Sequence, residues 1–418
     1  MTTSSPLADL RSLVEHARAN SPFYKELYDG LPADWTVADL PIIEQAKFWD
    51  ANTLRDNQVM TGPHTDGIVF KTGGTTNAPR VSWYSRDEWR SMAEVFATGM
   101  HAAGVREGDR VANLYYAGEL YSGFIITMNT LELVNTVQLP IAGGAPLDFT
   151  LQTLQDFHAT VVAAFPTSLV RLAQYVIDNA GSLPEIRLVL FSGEAFYGDQ
   201  RTVVETAFPN AVIRSIGYGS VDGGILGASV ADSEDPRVFR AFRPSRLLEI
   251  VDVDTNEPIE EPGRPGRLLV TDLSRTLMPI IRYPVGDLAE WISFEEGTFR
   301  LLGRADEGAR CGPVTLHLDY LRSVVAEALE SRHVTGFQVV LRRVDAKDQL
   351  VLRVACTAED RESLYPAISD GVDRISPRFA DHVRRGVINP LVVEWVDALQ
   401  TNPRTGKTIR LVDERPVA

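Results

Sequence analysis

At 418 residues the chain is longer than one ordinary hydrophobic core organises, so two or three domains are expected. A formal net charge of −15 excludes a dominant nucleic-acid surface, which needs clustered Lys and Arg, yet leaves room for an anionic small molecule at a locally positive site. Two cysteines cannot make a four-thiolate site and the seven histidines show no HExxH or paired ligand spacing, so no structural zinc is expected.

In chain order, LADLRSLVEHARAN carries Leu10, Leu13, Val14 and Ala17 at helical spacing, and helix is expected through most of residues 1 to about 60. Neither a charged-then-apolar leader nor an apolar run of about 18 residues is found, which points to a cytoplasmic protein. The strand GIVFK then runs into KTGGTTNAPR at 71–80. Beyond it, short apolar runs at 110–115, 160–165, 186–192 and 211–217 read as strands, with helical patterns such as SLVRLAQYVIDNA between them. This alternation is α/β construction, and open α/β sheets hold ligands in the loops where such strands end. From about 236 the proline, glycine and alternating apolar residues describe a β-rich region with hairpins. Past LLGR at 301–304 follows a smaller α+β unit: a helix at 317–330, strands at 336–342 and 350–356, a helix at 359–374 and a strand at 391–396. A boundary near Arg304 divides the chain into 1–303 and 304–418.

Four stretches carry chemistry. The Gly/Thr-rich run of Thr72, Gly73, Gly74, Thr75 and Thr76 follows a strand, where backbone N–H groups and hydroxyls can converge on phosphate oxygens. It is not a Walker A loop, because Asn77, Ala78 and Pro79 stand where that loop needs Lys and a hydroxyl. IGYGSVDGG at 216–224 lacks strict dinucleotide spacing; Tyr218 offers an aromatic face and Asp222 a carboxylate for magnesium. In MPIIRYPVGDLAEW, Asp287 reads as a carboxylate at a strand end, able to accept both ribose hydroxyls. In TNPRTGKTIR, Lys407 is a loop lysine able to neutralise charge developing between a carboxylate and a phosphate. Taken singly, each is more often an ordinary turn or a solvated side chain.

Together and in this order they resemble the adenylate-forming enzymes, most closely the phenylacetate–coenzyme A ligase branch. KTGGTTNAPR is similar to the superfamily's phosphate loop, FSGEAFYGDQR to its adenine-side loop, GYGSVDGG to YGxTE, PIIRYPVGDLA to the IRYRTGDL motif, LLGRADEGARCG to the hinge and TNPRTGKTIR to the C-terminal lysine signature. ANSPFYKELYDG followed by LPIIEQAKFW points to this branch. The resemblance implies a large N-terminal domain of mixed sheets and helices with a β-rich subdomain, and a small mobile C-terminal domain. It also implies ATP and Mg²⁺, with coenzyme A as co-substrate. Residues 72–76 would then cradle the β- and γ-phosphates, Ser192, Gly193, Glu194, Tyr218 and Gly219 would border the adenine, and Asp287 and Arg304 would meet the ribose. Asp222 would sit near the metal, Asp306 would be the hinge, and Lys407 would bridge the substrate carboxylate and the α-phosphate.

The chain departs from the family pattern at Arg80, where lysine is usual, at Val221, where a hydroxyl residue is usual, and at Asp222, where glutamate is usual. His317 and Asp319 lie in the stretch that lines the coenzyme A channel in the family, so the second half-reaction is the step these departures touch. Tyr115, Tyr116, Tyr121 and Phe124 fall where the branch places its acyl pocket, giving an aryl or heteroaryl acid as the expected substrate. Three functions stay open: an aryl acid–coenzyme A ligase, an adenylating enzyme that passes its acyl group to a carrier-protein thiol, an amine or a reductant in secondary metabolism, and a nucleotide- or acyl-adenylate-binding protein without turnover. No membrane or nucleic-acid partner is expected. Dimers occur in the branch, so a homodimer stays open.

Overall fold

The computed structural model describes residues 6–71, 80–193, 196, 198–220, 222–304, 308–329, 334–356, 361–396, 399–400 and 411–416. The architecture is mixed α/β, and the chain divides into two compact units: Met1–Ser168 with Leu172–Gly193 and Glu205–Ala305, and Leu169–Arg171 with Glu194–Val204 and Asp306–Ala418.

The first unit contains a five-stranded, all-parallel sheet in the order Val137–Leu139, Arg110–Asn113, Val161–Ala164, Leu188–Phe191, Val212–Ser215. VVAA and LVLF are buried at every position, as parallel strands covered by helices on both faces must be. Helix Arg86–Ala102 starts at a capping box in which Ser85 and Glu88 exchange bonds with each other's backbone N–H. It helps cover this core with Met92, Ala93, Phe96 and Met100. The short strand Val137–Leu139 at the sheet edge has no counterpart in the sequence-based expectations, since three residues give no readable period.

A second, antiparallel sheet of seven strands runs Arg246–Val251, Gly266–Asp272, Ile280–Ser293, Thr298–Arg304, Val238–Ala241, Gly224–Ser229, Tyr218–Ser220. The N-terminal helices pack their Leu13, Tyr24, Tyr28 and Phe48 into the same core as this sheet's Tyr283, Trp291 and Phe299. Tyr24 anchors the contact by donating its hydroxyl to the Pro279 carbonyl at 2.7 Å. The strand Ile280–Ser293 carries an irregularity: Val270 pairs with Tyr283 but Asp272 with Ile280, so three steps on one strand oppose two on the other. Arg282 sits in this bulge at φ +47°, held by Glu249 through Nε at 3.1 Å and Nη2 at 3.0 Å, and by the Leu40 carbonyl. Bulges of this kind re-aim the side chains beside them, here Tyr283.

The second unit holds a hairpin, Gly308–Cys311 with Val314–His317, and a four-stranded sheet in the order Val392–Trp395, Lys347–Cys356, Val334–Val344, Leu411–Asp413. Helices Leu318–Ala328, Tyr365–Ile375 and Pro377–Arg384 accompany it, and Val324, Val325, Ile368, Val372 and Phe379 share its core. A lattice of Arg342 and Arg353 with Glu394 and Glu414 crosses all four strands of the sheet, since Glu414 directly follows the strand Leu411–Asp413. No helix among the described residues is long and apolar enough to cross a membrane.

Candidate active site

Four adjacent parallel strands end side by side, and the residues that follow each of them build the first half of the site. Beyond Asn113 come Leu114 and Tyr115, beyond Ala164 comes Phe165, beyond Phe191 come Ser192 and Gly193, and beyond Ser215 come Ile216, Gly217 and Tyr218. Backbone bonds extend the registry past the strands, with Leu114 N on Ala163 O and Ile216 N on Phe191 O, both at 2.8 Å. This is the carboxyl edge at which open α/β sheets take ligands.

Phe165 is the hub of that edge. Its ring meets Tyr115 edge-on at 5.1 Å, Tyr116 in a near-parallel stack at 6.0 Å and Tyr121 at 6.0 Å. Tyr115 is buried, and burial pushes its phenol far above the ordinary value while the Ser192 hydroxyl, 3.0 Å away, offsets part of the shift. Tyr116 is 46% exposed, so the cluster reaches the surface on one side. Gly193, at φ +77°, lies so close that an added Cβ would stand 2.7 Å from the Phe165 ring. Phe124 is partly buried against the core cluster that also contains Tyr115.

The second half comes from the antiparallel sheet. Tyr218 donates its hydroxyl to Asp287 Oδ2 at 2.5 Å while its ring rests on Phe239 at 5.6 Å and Phe299 at 6.0 Å. Asp287 pairs across strands with Arg304, so the two residues that the sequence assigns to one ribose are direct neighbours in the backbone register. Asp287 lies inside the strand Ile280–Ser293 and not at its end, because the chain continues extended through Pro284 and Gly286. Gly219 lies in the edge strand Tyr218–Ser220, and a Cβ there would stand 2.6 Å from the Gly224 carbonyl.

Asp222 is 8% exposed and accepts the Tyr283 hydroxyl on Oδ2 at 2.8 Å. Arg80 Nη1 lies 3.6 Å from the same oxygen, and its guanidinium covers the Trp49 ring at 5.5 Å. Burial pushes the Tyr283 phenol well above its ordinary value, and the neighbouring Asp222 charge adds to the shift. Arg80 closes the Gly/Thr run on one side; on the other, Lys71 N is tied to Leu120 O at 2.9 Å. Thr72, Gly73, Gly74, Thr75, Thr76, Glu194, Asp306 and Lys407 lie outside the described residues, as does Val221, and of Arg304 only the backbone is described.

Among the described residues no group of three or more His, Cys, Asp or Glu could hold a metal ion alone. A magnesium ion that arrives with a triphosphate needs less, since one carboxylate with phosphate oxygens and water completes its shell. Asp222 fits that role, because its Oδ1 accepts no hydrogen bond among the described residues.

Phe165, Tyr283, Trp49 and Gln45 belong to the site but were not singled out from the sequence. Phe165 had a readable signal, a bulky residue before proline directly after an apolar strand, AAFP. Gln45 and Trp49, on one short helix, reach Tyr283 through hydrogen bonds that span more than 200 residues.

No family model matches the chain. A phenylacetate–coenzyme A ligase of Thermus thermophilus is 27% identical over 82% of this chain and 79% of its own length. A phenylacetate–coenzyme A ligase of Aromatoleum evansii is 23% identical over 98% of this chain and 94% of its own. Among solved structures, 2-hydroxyisobutyryl-CoA ligase in complex with 2-HIB-AMP and CoA superposes with a TM-score of 0.74 at 21% identity, covering 99% of this chain and 89% of that one. The mixed α/β fold is therefore the one seen in solved adenylate-forming enzymes. In sequence the chain is similar to phenylacetate–coenzyme A ligases, at 23% to 27% identity.

Proposed function

We propose that the chain activates a carboxylic acid with ATP, forming an acyl-adenylate and pyrophosphate, and passes the acyl group to the thiol of coenzyme A. The observation that carries this reading is an aromatic cluster (Tyr115, Tyr116, Tyr121, Phe165) beyond the carboxyl ends of the parallel strands, together with Tyr218, which follows the last strand of that sheet and donates its hydroxyl to Asp287. The first is chemistry for an aryl or heteroaryl acid, the second for a nucleoside.

The reaction asks a carboxylate to attack the phosphorus of a polyanion, so like charges must be held in line and screened. In this reading Asp287 accepts the ribose hydroxyls, Ser192 and Gly193 border the base, and Thr72 to Thr76 hold the outer phosphates. Asp222 holds the magnesium, which supplies charge neutralisation at the phosphates. Residues 304–418 form the smaller domain and bring Lys407 to the developing charge. Cytoplasmic supplies of ATP and coenzyme A make that compartment the natural setting.

The test is exchange of labelled pyrophosphate into ATP over a panel of aryl acids, followed by AMP release with coenzyme A added. Exchange with at least one aryl acid, and thioester formation, are expected. Exchange without thioester transfers the acceptor role to a carrier thiol, an amine or a reductant; no exchange with any acid refutes the adenylation reading. Lys407→Ala should abolish exchange yet leave a supplied acyl-adenylate able to react with the thiol, and equal loss of both steps removes Lys407 from the first.

A further inference from the structure

Tyr283 belongs to none of the roles above, yet its hydroxyl sits where two distant segments reach Asp222. The phenol oxygen lies 2.8 Å from Asp222 Oδ2, 3.0 Å from Trp49 Nε1 and 3.2 Å from Gln45 Nε2. An indole N–H only donates. The Gln45 amide also gives its nitrogen to the Pro284 carbonyl, which can only accept, so that nitrogen and not its oxygen faces Tyr283. Both lone pairs of the phenol are therefore taken, and its single proton has one destination, the Asp222 carboxylate. The backbone of Asp222 is pinned as well: Arg275, 1% exposed, donates Nη1 to the Asp222 carbonyl at 3.1 Å and Nη2 to the Trp83 carbonyl at 2.8 Å, with its guanidinium over the Tyr84 ring at 4.0 Å.

We propose that Tyr283 is a positioning residue for Asp222: backed by Trp49 and Gln45, it fixes Oδ2 as a hydrogen-bond acceptor and thereby reserves Oδ1 for the divalent cation that accompanies the nucleotide. The inference rests on the reading of Asp222 as the metal-side carboxylate. It assigns a function to the helix Gln45–Ala51, whose Gln45 and Trp49 are one turn apart on the same face. It also gives the bulge at Arg282 a purpose, since the bulge sets where Tyr283 points.

The experiment uses the full chain and Mn²⁺ as the probe, counted by electron paramagnetic resonance in the presence of a non-hydrolysable ATP analogue. Tyr283→Phe removes one hydroxyl and should weaken Mn²⁺ binding about tenfold, the order expected of a hydrogen bond to a charged group. Trp49→Phe, which leaves the phenol a free lone pair, should weaken it two- to threefold (roughly) in the same direction and serves if Tyr283→Phe does not fold. Affinity for the analogue in EDTA should stay at the wild-type value in both, an outcome that general structural damage would not give. Asp222→Asn separates the two layers. If it loses Mn²⁺ while Tyr283→Phe and Trp49→Phe bind as the wild type, the positioning role is overturned and the reading of Asp222 stands; if Asp222→Asn also binds as the wild type, that reading fails and the inference with it.

Discussion

Gly193→Ala tests whether Phe165 is a fixed hub of the aromatic cluster. Two costs can be read from the geometry. The backbone has φ +77°, where an L side chain pays roughly 1–2 kcal/mol. The new methyl would also stand 2.7 Å from Phe165 Cε1 and 3.0 Å from Cδ1, so the ring must move, an overpacking cost of about 1–3 kcal/mol. Gly263 supplies the control: its φ is +75°, but nothing lies within 4 Å of an added Cβ, so Gly263→Ala pays only the first cost. In urea unfolding the first variant should therefore be the less stable by roughly 1–3 kcal/mol. Displacing Phe165 also disturbs its contacts with Tyr115 and Tyr116, so the KM for the acid should rise in Gly193→Ala. Phe165→Leu in the same chain should recover part of the stability, since neighbours in contact are not additive. Equal destabilisation by the two alanines, with an unchanged acid KM, would refute the hub.

Asp287→Asn should raise the KM for ATP about tenfold, a loss typical of a charged hydrogen bond, and erase any preference for ATP over 2′-deoxy-ATP; a preserved preference removes Asp287 from the ribose. Glu88 is buried and accepts Ser85 N at 2.8 Å, Thr276 N at 2.6 Å and Leu277 N at 2.6 Å. Glu88→Gln turns a donor toward at least one of those N–H groups and should cost about 1.5–3 kcal/mol in chemical denaturation; a cost below about 0.5 kcal/mol would mean the loop at 273–278 is held otherwise. In the second unit, hydrogen bonds from Arg342 and then Arg353 hold the Glu394 carboxyl below its ordinary value of 4.5. Its contribution is thus present above that value and lost as pH falls through the lower folded one, so Glu394→Gln should melt below the wild type at pH 7 and converge with it as the pH drops under 4.5; a gap constant with pH contradicts the lattice. Arg80→Lys and Asp222→Glu should each weaken nucleotide binding, and the double variant should recover on the order of 0.5 kcal/mol, small because Arg80 is 38% exposed. Strict additivity would mean the two side chains do not act on each other.

The parallel sheet was legible because VVAA and LVLF are short apolar runs with turn residues after them, and such runs have few alternatives to a buried strand. The β-rich texture after 236 was legible for the same reason, a change of period. Tyr218–Ser220 was not, since a Tyr-Gly-Ser triplet is punctuation in any local reading and becomes a strand only because Gly224–Ser229 lies beside it. The strand around Asp287 misled in the opposite direction: Pro284 and Gly286 look like a stop, but the bulge at Arg282 absorbs the irregularity upstream and lets fourteen residues run on.

What no window along the chain could supply is the polarity of the bonds around Asp222. Arg80 stood out only as a replacement for lysine, and Asp222 as a carboxylate one methylene shorter than the usual glutamate. In the folded chain a planar guanidinium lies over Trp49 and within 3.6 Å of the carboxylate, an arrangement for which lysine, a point charge without a face, is no substitute. The same Trp49 gives its N–H to Tyr283, which gives its proton to Asp222. One indole thus serves both neighbours of the carboxylate, cation and phenol, and the shorter acid is compensated by being held from two sides.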